Sequence, residues 1–296
     1  MPAALSRDAA RDPDSRRAAT CAALAAALLL PAALLAPTDS AARAPDPALQ
    51  QAVADPARTP AYVERDAYRR PAQTLDFFGI RPGMTVVELW PGGGWYSEIL
   101  APYLGPQGRL YAAHFDPQHP RDYFRESQAR YAAKLAADPA RYGNVEMTVF
   151  HPPQQVAIAP PGSADAVLTF RNVHNWYMNG AQEGLDAAFA AMYRALKPGG
   201  VLGIVDHRLR ADRPASAQAD SGYMHERAVI AAAERAGFVL EARSEINANP
   251  LDSTDHPHGV WTLPPRLRLG EERAEHYLTI GESDRMTLRL RKPAAG

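Results

Sequence analysis

The chain has 296 residues, 46% of them hydrophobic, and a formal net charge of −1. That composition is globular and leaves room for one α/β domain with extra pieces. The near-neutral charge excludes the basic excess of a general nucleic-acid binder, so no nucleic-acid partner is expected. The single cysteine, Cys21, excludes a disulfide framework and a cysteine-based metal site.

Residues 1–17 are polar and carry Arg11, Arg16 and Arg17. Residues 18–36 are rich in Ala and Leu, broken by Thr20, Cys21 and Pro31, and small residues follow at Ser40, Ala42 and Ala44. A charged start, an apolar stretch and a small-residue site describe a secretory signal peptide over residues 1–44. The expected location is therefore periplasmic or otherwise exported, without stable membrane insertion once the signal is cleaved. A retained membrane anchor is the competing reading, because the run approaches spanning length. Arg16-Arg17 suggests a twin-arginine signal.

Residues 45–60 are rich in Ala, Pro and Asp and read as a linker before a domain over residues 61–296. Residues 62–78 have a helical pattern interrupted by Pro71, with Leu75 and Phe78 spaced to face a core. Strands and helices then alternate. Strands are predicted over 84–89, 109–113, 145–150, 164–170, 201–206, 238–246 and 285–291. Helices are predicted over 95–104, 121–137, 182–196 and 226–236, the last capped by Gly237. This alternation implies βαβ units, hence an α/β fold with a doubly wound parallel sheet and helices on both faces. Residues 247–281 break the rhythm with Pro250, Pro257, Pro264 and Pro265, and read as a lid or insert.

The strongest local signal is Val86-Val87-Glu88-Leu89-Trp90-Pro91-Gly92-Gly93-Gly94-Trp95. A buried strand ends, glycines make a tight turn, and a helix begins. Glycine serves where the backbone needs a positive φ or must let a ligand approach. The C-terminal edge of such a sheet is also where ligands bind. This segment resembles motif I of class I S-adenosylmethionine-dependent methyltransferases, in which an acidic residue precedes a Gly-x-Gly-x-Gly loop. Glu88 stands at the acidic position, and Gly92 and Gly94 match the second and third glycines. Trp90 replaces the first. A tryptophan is not expected to copy a strained glycine conformation, so the turn is expected to be reshaped.

The resemblance spans about residues 83–292 and implies a Rossmann-like methyltransferase fold of about seven strands, the last antiparallel. It implies S-adenosylmethionine as cofactor. The family's acidic residue after the second strand, which holds the ribose hydroxyls, faces Ala113-His114-Phe115-Asp116 here. His114 is the direct match. Asp116 lies two residues on and would point the same way if the strand continued, so Asp116 is the expected ribose ligand. After the third strand, where the family often places an acid near the adenine, this chain has His151-Pro152-Pro153. The cofactor-binding set is completed by Tyr96, at the start of the helix after the glycine loop, and by Asn172, at the sheet's upper edge. Arg69-Arg70-Pro71, the Pro-Gly-Gly-Gly-Trp-Tyr loop, the Ala-Gly-Phe at Gly237 and the closing Leu-Arg-Lys-Pro are similar to a group of exported methyltransferase-like proteins.

Methyl transfer is an in-line displacement in which alignment dominates and a base helps when the acceptor is a hydroxyl. His174 and His207 both follow strands at the ligand edge and are the candidate bases. No Asn/Asp-Pro-Pro-Tyr motif is present, which disfavours a nucleic-acid base as target, so the expected partner is a small molecule. His256-Pro257-His258, with Asp252 and Asp255 nearby, invites a metal, but with no HExxH it reads as a surface cluster, and no metal is assigned. The second functional reading is a non-catalytic module that binds the nucleoside cofactor in the cell envelope.

Overall fold

The runs rich in Val and Leu form seven strands: β1 (Thr85–Leu89), β2 (Arg109–His114), β3 (Val145–Val149), β4 (Ala164–Phe170), β5 (Leu196–His207), β6 (Val239–Ser244) and β7 (Arg285–Arg291). They come from a computed structural model that describes residues 46–294, so the expected signal peptide over 1–44 lies outside the described residues. All seven strands join one sheet in the order β3-β2-β1-β4-β5-β7-β6. The pairs among β1 to β5 are parallel, whereas β7 runs antiparallel between β5 and β6. The order reverses beside β1, which opens a crevice at the C-terminal ends of β1 and β4.

The helices are α1 (Pro47–Val53), α2 (Pro60–Val63), α3 (Asp66–Arg69), α4 (Pro71–Phe77), α5 (Ser97–Leu104), α6 (Asp122–Ala137), α7 (Pro139–Tyr142), α8 (Val173–Ala195), α9 (Glu226–Arg235) and α10 (Ala274–Ile280). Successive strand side chains alternate faces, so the sheet carries two cores. On one face Val86, Leu168 and Val205 pack with Leu49, Leu75 and Ile99 of α1, α4 and α5. On the other, Val87, Leu202 and Ile204 pack with Phe189 and Met192 of α8 and Val229 of α9. Among the described residues no helix is long and apolar enough to cross a membrane.

Two expectations need correction. The stretch read as a linker is helical and fixed: Leu49 of α1 is fully buried, Thr59 donates to Glu98 through both its backbone N–H and its hydroxyl, and Arg141 pairs with Asp55 at 2.6 Å. The helical pattern over 62–78 breaks before Pro71 as expected, where Arg70 turns left-handed at φ 39°, but it breaks a second time between α2 and α3 at Glu64 and Arg65. The helix expected from residue 182 is present after a break at Ala181, where φ is 45° and ψ −136°, and a helical stretch from Val173 that the sequence reading did not give precedes it. That places His174 in the helix's first turn.

Gly203 of β5 shows how tightly the sheet meets its helices. A Cβ added there would lie 2.7 Å from both Leu168 and Phe78. Gly203→Ala is expected to lower the free energy of unfolding by about 1–3 kcal/mol through overpacking, read as a lower urea midpoint.

Candidate active site

The turn after β1 departs from the expected reshaping. Trp90 adopts φ 46°, so the tryptophan takes the left-handed conformation that a glycine would have taken. Such a residue costs about 1–2 kcal/mol in backbone strain. Local bonds and packing offset it. The Trp90 N–H donates to Ala113 O and its indole N–H to Phe150 O, each at 2.8 Å. Its ring contacts Phe115, Phe150 and Trp176 at centroid distances of 5.0, 6.0 and 5.7 Å. Gly92 follows at φ 61°, with nothing within 4 Å of where a Cβ would stand, so a ligand can reach its backbone. Gly94, at φ 86°, lies elsewhere than expected: its Cβ position is 3.0 Å from Tyr131, beneath the turn and away from the cavity lining.

Above the turn lies a cavity of about 510 Å³, within the usual size for small-molecule sites. Glu88, Gly92, Tyr96, Asn172, His174 and His207 all line it. Glu88 is buried and accepts from the Ser97 hydroxyl at 2.6 Å, which in turn accepts from Tyr131. Burial outweighs that hydrogen bond and pushes the Glu88 carboxyl up to about 7. Tyr96 stacks on Phe170 at 3.5 Å, and burial pushes its hydroxyl up to about 12, so it stays protonated. Asn172 donates to Leu89 O at 2.9 Å, tying the end of β4 to the end of β1.

The structure does not bring Asp116 to this cavity. β2 ends at His114, so the alternation that would aim Asp116 inward stops, and its carboxylate instead accepts from Gln118 N–H and Gln155 Nε2. His114 is fully buried and both ring nitrogens are used: Nδ1 accepts from Phe115 N–H, and Nε2 therefore carries the proton donated to Gly92 O at 3.0 Å. Phe115, between them in sequence, does line the cavity. It continues into an adjoining groove of about 350 Å³ walled by Trp90, Phe124, His151 and Trp176.

β4 and β5 deliver the titratable centre. Asp206 is fully buried and accepts His174 N–H through Oδ2 at 2.9 Å. Its Oδ1 accepts His207 N–H and meets His174 Nδ1 at 2.9 Å. A carboxylate only accepts, so His174 Nδ1 carries the proton and Nε2 keeps its lone pair. Nε2 has no hydrogen-bond partner among the described residues. His207 Nδ1 lies 2.5 Å from Ser283 Oγ, and burial, His174 and the nearby arginines hold it well below its ordinary value, hence neutral. Ligating atoms of His174, Asp206 and His207 come within 4.8 Å of one another, close enough for a metal ion. The same field that opposes a proton on His207 opposes a cation there.

The field comes from residues that sequence reading did not assign. Arg65, Arg69, Arg171, Arg266 and Arg285 line the cavity with two carboxyl groups, Glu88 and Glu282, and of these Glu282 is the one that pairs with arginines. Burial alone would raise Glu282, but Arg285, Arg69 and Arg65 outweigh it and hold it at about 2. Arg69 had a local signal, the Arg-Arg-Pro string, and Arg171 sits beside the assigned Asn172. Arg65 meets Glu282 at 2.6 Å across 217 positions of chain, a pairing with no local signature. The 247–281 segment forms one wall, with Val260, Trp261 and Leu263 on the cavity. It is pinned by Asp252, which accepts from Tyr223 OH, Asp284 N–H and Thr254 N–H. His256 pairs with this Asp252 at 2.8 Å with its side chain buried, which corrects the expected surface cluster, while Asp255 pairs outward with Arg213.

No protein-family model matches the sequence, and no curated protein matches it. Solved structures do match in fold. A SAM-dependent methyltransferase from Aquifex aeolicus aligns with TM-score 0.50 at 19% identity, covering 77% of this chain and 93% of its own. Geranyl diphosphate methyltransferase in complex with SAM aligns with TM-score 0.51 at 16% identity, over 82% and 94%. The cyclase SpnF aligns with TM-score 0.52 at 15% identity, over 83% and 92%. The fold is thus the α/β, mostly parallel Rossmann-like fold of these methyltransferases, with a seven-stranded sheet. A neighbour named as a cyclase marks that the fold alone does not set the reaction.

The Glu88 carboxyl provides a stability test. Its folded value near 7 lies above the ordinary 4.5, so its contribution is present below 4.5 and is lost as pH rises through 7. The loss amounts to about 3 kcal/mol, from about 1.4 kcal/mol per pH unit. Glu88→Gln is therefore expected to unfold at higher temperature than wild type at pH 8 and at a similar temperature at pH 5. A variant less stable at pH 8 would contradict the buried-acid assignment.

Proposed function

We propose that the protein transfers a methyl group from S-adenosylmethionine to a hydroxyl of a small-molecule acceptor, and that it does so after export. The observation that carries this reading is His174, fixed by Asp206 at the cavity above the glycine turn. When bound, S-adenosylmethionine supplies an electrophilic methyl group on a sulfonium sulfur.

The residues fit such a cofactor at three points. Glu88, a buried carboxyl on the cavity wall, suits an ammonium group. The open backbone at Gly92 lets the amino-acid end approach closely. The groove of Phe115, Phe124 and Trp176 suits a flat heteroaromatic ring, and the buried indole N–H of Trp176, which has no partner among the described residues, offers it a donor. The family's ribose acid has no counterpart in the lining, since Asp116 faces outward and His114 is spent.

A hydroxyl acceptor gains from a base as its proton leaves, and an Asp-oriented imidazole is a base. His174 takes the acceptor's proton at Nε2. Asp206, held by the two backbone N–H groups of His174 and His207, stabilises the imidazolium that results. His207 stays neutral beside it, with ring centroids 5.0 Å apart, and so does not repel the first proton.

Calorimetric titration with S-adenosylmethionine is expected to show one site, and an acceptor screen by labelled methyl transfer then gives turnover. His174→Gln is expected to lower kcat about 100- to 10,000-fold while cofactor affinity stays within a few-fold. Absence of binding across the millimolar range sinks the reading. Binding without turnover against any acceptor favours the non-catalytic module, whose supporting observation is the missing ribose carboxylate. For export, N-terminal sequencing of protein from the native envelope is expected to begin near Arg43 to Pro45, and an intact Met1 on cytosolic protein overturns it.

A further inference from the structure

Four guanidinium groups, those of Arg65, Arg69, Arg171 and Arg285, face one cavity with Glu282 as their one carboxylate partner. Within this cluster four positive charges against one negative leave three uncompensated; of the cavity's other charged groups, Arg266 is exposed to water and burial favours the neutral form of Glu88. Arg69 and Arg285 are only 3% and 2% exposed, so water does not screen them well. Glu282 does not satisfy their donors either. Arg65 Nη2, Arg69 Nε and Nη2, and Arg285 Nε are buried without a hydrogen-bond partner among the described residues. Arg171 makes no side-chain hydrogen bond or ion pair among the described residues, although its backbone is held at φ 63° by a bond to Val205 O. Burial and mutual repulsion hold the Arg69 guanidinium well below its ordinary value and lower Arg171 to about 10.

Unpaired buried charge of this kind is strongly destabilising unless something completes it. Hydrophobic residues would fill the same volume at less cost, so the arrangement is explained by an anionic ligand. We propose that the cluster seats a phosphoryl group carried by the methyl acceptor. This rests on the methyl-transfer reading, because it names the acceptor's anchoring group. The chemistry favours phosphate over a lone carboxylate. Guanidinium forks match phosphate oxygens in pairs, and the unpaired donors of Arg65, Arg69 and Arg285, taken with the whole guanidinium of Arg171, exceed the roughly four sites of one carboxylate. A phosphate monoester brings about two negative charges and so offsets most of the three left over. The cofactor by itself is no remedy, since its carboxylate comes with an ammonium and a sulfonium. The phosphate then anchors the acceptor beside His207, whose neutrality reports the same arginines, and one residue-pair away from His174.

The test uses inorganic phosphate as the probe, by calorimetry at low ionic strength, with and without saturating S-adenosylhomocysteine. Wild type is expected to bind one phosphate in both conditions. Arg171→Met, which removes an unpaired charge and no ion pair, is expected to weaken phosphate binding roughly tenfold to a hundredfold while leaving S-adenosylhomocysteine affinity within a few-fold. In phosphate-free buffer the same variant is expected to melt higher than wild type. Arg171→Lys keeps the charge and is expected to retain part of the affinity, which separates charge from packing should the methionine variant fold poorly. Phosphate binding abolished by S-adenosylhomocysteine assigns the arginines to the cofactor's carboxylate and overturns the proposal. So does absence of phosphate binding to wild type. Phosphate binding in a protein that takes no S-adenosylhomocysteine keeps the anion seat and removes the methyl-transfer reading instead.

Discussion

A carboxylate with no water around it must find donors, and in this protein Asp206 finds them on two different elements. It sits at the end of β5 on the sheet face covered by α8. The first turn of a helix presents N–H groups that no residue of the helix itself can satisfy. Asn172, the residue before α8, makes no side-chain cap, and Asp206 supplies one from across the sheet by accepting the His174 N–H. A negative charge at a helix N-terminus is also favoured by the helix dipole. The bond that secures the helix to the sheet thus also fixes the His174 ring and its tautomer. Removing Asp206 would free a helix end and an imidazole together.

Backbone strain is gathered at the same sheet edge. Trp90 after β1 and Arg171 after β4 both hold positive φ without being glycine. Each is kept there by a strand-like hydrogen bond to a neighbouring strand, to Ala113 O and Val205 O respectively. Non-glycine residues persist in that region where the surroundings over-determine them, and such places cluster at functional sites. In Trp90 the gain is a ring that floors the apolar groove. In Arg171 it is a guanidinium turned into the cavity.

The two ends of the site therefore differ in character. Toward Phe115 and Trp176 the walls are aromatic and suit a flat ring. Toward Arg69 and Arg285 the walls are cationic and buried, which makes the protein itself less stable without an anion. Glu88 lines the same cavity as a buried acid bonded to the Ser97 hydroxyl, and burial favours its protonated form. The segment carrying Val260 and Trp261 closes the side of the cavity, and its anchor at Asp252 ties it to the same body.

Much of this was legible in the sequence because it rests on local periodicity. Strands of Val and Leu, helices with a single apolar face, and a glycine turn between β1 and α5 are properties of neighbouring residues, and they gave the parallel sheet and the positions of Glu88, Gly92, His174 and His207. Asp206 was hidden as the last residue of an apolar run, with nothing nearby to mark its role. Asp116 was misjudged because strand alternation holds only while the strand lasts. Trp90 was misjudged because intrinsic backbone preference is worth about 1–2 kcal/mol, an amount that tertiary packing can override. The arginine cluster draws on α3, the end of β4 and the start of β7, which meet only once the sheet has closed. Local sequence pattern sets the seven strands, most of the longer helices and a mostly parallel sheet, because these rest on neighbouring residues. Which charges face one another follows only from the folded chain, because it depends on contacts such as Arg65 with Glu282, 217 positions apart.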